Sequence, residues 1–193
     1  MAESPNPNLV PENVKTALRK GLVDFELGDA LRDLLLNAAE GKGGRRLKVC
    51  PLTQADARDK KDLKDLDTFG WRIAVRTEDY SAIAADVYTK DLIEPRVACV
   101  RRGPHVVKML DAVEAEIRRG GTEVPLQEQG LRLIVSPALF TQALWSQPAG
   151  TVRPFQTLVT TISVGDSFDG QEFLGRLSDL ANQLLKIKGQ PQG

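Results

Sequence analysis

The chain has 193 residues, and its 26 Lys plus Arg balance 26 Asp plus Glu for a formal net charge of zero. That balance excludes an overall field that would draw it to nucleic acid or to an anionic membrane, so any such partner needs a local patch. The length suits one domain with an appendage and buries enough surface to fold without a metal or a disulfide.

Residues 1–10 carry Pro5, Pro7 and several Asn, which reads as an extended or disordered arm ahead of a single α+β domain over 11–188 and a polar tail over 189–193. Pro11 suits the first turn of a helix, and Val14, Leu18 and Leu22 recur at helical spacing until Gly21 loosens it. A second helix starts near Asp29, placed to cap free amides, and runs through Leu31, Leu34, Leu35 and Ala38 to a stop at Gly41. Leu47 to Leu52 predicts a strand, and Thr53 to Leu66 a charged, mostly solvated helix. Trp71, Ile73 and Val75 alternate with Arg72, Ala74 and Arg76, the period of a strand with one buried face. Ala84–Thr89 and Arg96–Arg101 are further strands, with Pro95 arguing against a central position. Pro104 opens the most regular helix, with Val106, Leu110, Val113 and Ile117 on one stripe and a stop at Gly120-Gly121. Leu131, Leu133 and Val135 alternate as a strand, Leu139 to Trp145 fits no one period, and Phe155 to Val164 is a β-branched run. Asp169, with Glu172 three residues on, caps a last helix whose stripe is Phe173, Leu177, Leu180 and Leu184. Single helices between groups of strands predict an α+β fold with a mainly antiparallel or mixed sheet; α/β with a mixed or parallel sheet is the alternative.

The motifs carry little chemistry. Gly41-Lys42-Gly43-Gly44 follows a helix and precedes a strand, the reverse of a phosphate loop, and lacks the Gly-Lys-Ser/Thr ending. A calcium loop counted from Asp65 has Phe69 fifth and Arg76 twelfth, where an acidic ligand must close the cage. Ser167 sits between a strand and a helix as a hydrolase nucleophile would, but His105, the single histidine, precedes it in the chain. Cys99 and His105 form the one thiol and imidazole close in sequence; Cys99, on the strand face of Val97, reads as a small core residue. Two dispersed cysteines and one histidine offer no zinc set, and no cofactor is assigned.

Cys50 and Cys99 follow the usage of a reducing compartment, and the opening Met-Ala-Glu-Ser-Pro-Asn-Pro-Asn has no basic segment followed by an apolar run, so a cytoplasmic location is expected. Leu131–Leu139 is broken by Arg132, Ser136 and Pro137, so no membrane partner is expected. The leading expectation is a non-enzymatic interaction or structural protein, a subunit of a homo-oligomer or larger assembly, with protein partners or self-association. The aromatic residues Phe140, Trp145 and Phe155, flanking the turn-rich segment 146–154, are the candidate partner anchors. The alternative is a nucleic-acid-associated factor that holds phosphates with Arg45, Arg46, Lys48, Arg101 and Arg102 and stacks a base on Trp71 or Phe69. A third is an enzyme built around Cys99 or Ser167.

Overall fold

The computed structural model describes residues 9–79, 81–120, 130–147 and 149–188; most of the N-terminal arm, the tail and Gly121 lie outside them. The class is α+β, and the chain divides into two compact units, Met1–Val49 with Thr68–Leu131 and Cys50–Asp67 with Arg132–Gly193. No helix among the described residues is long and apolar enough to cross a membrane.

The first unit is an antiparallel sheet in the order β4 (Arg96–Arg102), β3 (Ala82–Tyr88), β2 (Gly70–Arg76), β1 (Arg45–Pro51). One face carries Trp71, Ile73, Val75, Ile83, Ala85 and Val87, which pack with Val14 and Leu18 of α1 (Glu12–Gly21) and Leu35 and Ala38 of α2 (Asp29–Ala39). The other face lies under α4 (Pro104–Gly120), whose Val106, Met109, Leu110 and Val113 are buried. Strand β2 is therefore buried on both faces rather than on one, and Arg72 is inside. Gly28, not Asp29, occupies the N-cap of α2; Asp29 is the first helical residue, and its carboxylate pairs with Arg32 one turn on. The helix ends as its sequence predicts: Gly41 has φ 88°, its N–H reaches the Ala38 carbonyl, and the Lys42 N–H reaches that of Asn37. Lys15 and Arg19 of α1 both donate to Glu40 at the end of α2, at 2.9 and 2.7 Å. Strand β4 is last in the order, as Pro95 just ahead of it suggests.

The second unit contains α3 (Gln54–Arg58), β5 (Leu131–Ser136), β6 (Thr141–Ser146), β7 (Thr151–Thr157), the short β8 (Phe168–Asp169) and α5 (Gly170–Lys188). The long charged helix expected from Thr53 is one turn, closed by a capping box between Thr53 and Asp56 and followed by a 3₁₀ turn at Leu63–Asp65. On a continuous helix Leu66 would fall on the side opposite Ala57. Left-handed Lys60, φ 50°, breaks the run, and Ala57, Leu63 and Leu66 all enter the core. The β-branched run is likewise shifted: β7 ends at Thr157, and the chain then turns so that Val159 and Ile162 bury. Pro154 lies within β7 opposite Ala143, at a bulge next to Gln142, where the ladder tolerates its missing N–H. Asp169 Oδ1 accepts from the Glu172 N–H at 2.8 Å, so the expected cap is present, and Phe173, Leu174, Leu177 and Ala181 of α5 bury against this core.

Two glycines test this packing. A Cβ at Gly70 would stand 2.1 Å from the Val87 carbonyl oxygen, so Gly70→Ala should cost about 1–3 kcal/mol in urea unfolding. Nothing lies within 4 Å of a Cβ at Gly175, inside α5, where Gly175→Ala should add about 1 kcal/mol.

Candidate functional site

The densest polar chemistry lies in the first unit, where β2 and β3 meet under α4. Arg72 and Asp86 are direct cross-strand partners, and Arg72 donates from Nε to Oδ1 at 2.6 Å and from Nη2 to Oδ2 at 2.9 Å. Their side chains are 4% and 3% exposed. Two further groups converge from β4: Arg101 Nε donates to Asp86 Oδ2 at 2.9 Å, and Cys99 Sγ donates to the same oxygen at 3.4 Å. Burial alone would raise the Asp86 carboxyl, but the hydrogen bonds and charge of Arg72, then of Arg101, outweigh it and hold the group below the ordinary aspartate value.

The convergence depends on a bulge. The β3–β4 register slips between Asp86 and Val87, so Cys99 faces Asp86 while Val97 faces Val87. Cys99 and Val97 therefore occupy opposite faces, a correction to the shared face expected from alternation, because the slip shifts the alternation by one residue. Burial, then the Asp86 charge, pushes the Cys99 thiol up, which disfavours the thiolate. His105 is held below the ordinary imidazole value by burial, then by the charges of Arg101 and Arg72. Within the cluster the Arg72 and Asp86 charges are paired with each other.

The other sequence candidates are dispersed. Register places Arg45, Ala74, Ala84 and Arg101 in one row across the sheet, so Arg45 and Arg101 share a face three strand spacings apart, roughly 14 Å. Arg46 alternates to the opposite face from Arg45, and Lys48 Nζ lies 5.7 Å from the Trp71 ring centre. Arg102 is exposed at the end of β4. These cations do not gather into one patch. Trp71 is buried and presents no free face to a base, and half-buried Phe69 meets Tyr88 in a T-shaped pair with ring centres 4.6 Å apart. Among the described residues no group of three or more His, Cys, Asp or Glu is placed to hold a metal ion.

In the second unit the three aromatic candidates separate. Trp145, 2% exposed, and Phe155, 4% exposed, are buried, with Arg132 lying 5.5 Å from the Trp145 ring centre. Phe140 is 62% exposed and sits in the left-handed region, φ 49° and ψ 39°. Thr141 and Thr157 form the last pair of the β6–β7 ladder, their hydroxyls 3.0 Å apart, so Phe140 and Leu158 emerge at the same end. Leu158 is 76% exposed. Ser167 is exposed in this unit, whereas His105 belongs to the other.

Sequence reading missed the Arg72–Asp86 pair and Leu158. Asp86 within the apolar run Ala82–Val87 was a usable signal, since a carboxylate inside such a strand needs a buried partner. The chain matches no family model, no curated protein and no solved structure.

Removing one partner of a buried ion pair leaves the other uncompensated, so Asp86→Ala should cost about 3–5 kcal/mol, whereas the double change Arg72→Met with Asp86→Leu should be near neutral or stabilising. The folded carboxyl value is depressed, so its contribution is complete above the unfolded value of about 3.9 and is lost as pH falls through the folded one. Denaturant melts along an acid series should show the wild-type advantage over Asp86→Ala shrinking in that direction.

Proposed function

We propose that the chain is a non-enzymatic interaction protein, a subunit of a homo-oligomer or larger assembly in the cytoplasm, joined at the end of the second unit where Phe140 and Leu158 are exposed. Phe140 carries the reading. A large aromatic side chain held in water loses the benefit of burial, and a left-handed backbone at a residue with a Cβ costs roughly 1–2 kcal/mol more. Local stability gives no reason for phenylalanine there, because Gly or Asn would relieve both terms. A protein surface that covers the ring supplies the reason, since aromatic anchors are the residues that concentrate interface energy. Leu158 is exposed at the same end of the ladder as Phe140 and adds apolar surface there.

The non-catalytic part of the reading is supported by the buried Arg72–Asp86 pair, whose two charges neutralise each other. Light scattering behind size exclusion tests the assembly. The wild type should elute as a discrete multiple of the chain mass, and Phe140→Gly should weaken that association at least about tenfold while raising unfolding stability by about 1 kcal/mol. Loss of both association and stability would mark Phe140 as a structural residue instead, and a single-chain mass for the wild type would remove self-association from the reading.

A further inference from the structure

Strand β4 is an edge of its sheet, with β3 as its one neighbour in the strand order. No backbone group of Arg96–Arg102 bonds to a described residue outside that ladder. Alternate N–H and C=O groups along seven residues therefore face away from β3 without a protein partner. Register sorts the side chains. Arg96, Cys99 and Arg101 stand opposite Tyr88, Asp86 and Ala84 on the α4 side, and Val97, Val100 and Arg102 stand opposite Val87, Ala85 and Ile83 on the α1 and α2 side. The strand thus carries three guanidiniums and no carboxylate. Arg96 and Arg102 are exposed, and the partly exposed Arg101 bonds Asp86 through Nε. A groove of about 630 Å³ opens beside the start of the strand, between α1 and residues 93–97, and fully exposed Ile93 lines it. Its charges balance, Lys20 and Arg96 against Asp24 and Glu94, so the strand alone sets the sign of what can lie along it.

We infer that the free edge of β4 takes up an extended segment of a partner protein, in which acidic side chains alternate with apolar ones, as an added strand. The backbone of that segment satisfies the outward N–H and C=O groups. Its period of two sets carboxylates beside Arg96 and Arg101 on one face and apolar side chains beside Val97 and Val100 on the other. Where it runs past Arg96 it enters the groove beside Ile93. Charge closes the same edge to a second copy of the chain: antiparallel pairing of two copies over all seven residues sets Arg96 opposite Arg102 of the second. The edge belongs to the first unit, so it stands or falls separately from assembly through Phe140.

The probe is a fluorescein-labelled hexapeptide, Glu-Val-Glu-Val-Glu-Val, titrated into the folded full-length chain by fluorescence anisotropy. It should bind saturably, and its Lys-for-Glu counterpart at least about tenfold more weakly. The charge reversal Arg96→Glu with Arg102→Glu, both exposed positions, should lose at least about the same factor with unchanged thermal unfolding. Of the two alternate sets of peptide nitrogens, N-methylation of one should abolish binding and of the other should not, because one set faces β4. Saturation with the peptide should also slow hydrogen exchange of the amides of residues 96–102. No saturable binding, equal affinity for the reversed variant, indifference to both N-methylated sets, or unchanged exchange along β4 would overturn the inference.

Discussion

The ion pair between Arg72 and Asp86 sets conditions that the rest of the first unit has to meet. A strand covered on both faces has no solvated side on which to place polar residues, so an arginine in β2 is tolerated only where a carboxylate waits at the same level of the next strand. Register supplies that level, and a slip of one residue would turn Asp86 toward the apolar face of α1 and α2. The pair is thus a constraint on pairing as much as a contribution to stability, a role in which buried charges are better attested than as sources of net free energy. The bulge in β3–β4 follows the same demand. It turns Cys99 and Arg101 toward Asp86 while keeping Val97 and Val100 against the α1 and α2 face.

The second unit solves a different problem. Its core joins residues of α3, β6, β7 and α5 with Leu63, Leu66, Val159 and Ile162, which come from segments without regular long-range pairing. Burying these residues requires sharp local reversals, at Lys60 and after Thr157, rather than extended elements. Hydrogen bonds that anchor such stretches are local or run to neighbouring elements: Arg176 of α5 donates to the Thr161 carbonyl, and the Gly165 N–H to the Pro154 carbonyl of β7. Gln54 donates to the Ala181 carbonyl and Ser178 to that of Arg58, so the short helix is tied to the long one at two points. Backbone groups of an irregular segment must find partners of this kind, because no ladder provides them.

Legibility in the sequence follows how local the deciding interaction is. Helices α1, α2, α4 and α5 were readable within a residue or two, since their apolar stripes and their stops at Gly21, Gly41 and Gly120 depend on neighbours in sequence. Burial of β2 on its second face was not readable, because it depends on α4, about thirty residues on. The run from Thr53 to Leu66 reads as a helix by composition, yet tertiary demand for three buried side chains overrides propensity. The Val97–Cys99 alternation fails for the same class of reason: a bulge is fixed by the partner strand and leaves no mark on the strand that carries it. Of the aromatic candidates only Phe140 lies at the surface, because turn-rich flanks reveal nearby loops but not which face of a strand enters the core.

Where the fold already satisfies a group, the group needs no further explanation. Buried Arg72 and Asp86 answer each other, and the exposed network of Lys15 and Arg19 with Glu12 and Glu40 does the same between α1 and α2. The features left over are those that folding physics alone would remove at no cost: a left-handed phenylalanine in water and an exposed leucine at the same end of the β6–β7 ladder. Each is neutral or unfavourable to the isolated chain. Stability selects against such residues or ignores them, which is why they, rather than the satisfied ion pairs, support the proposed interface at Phe140.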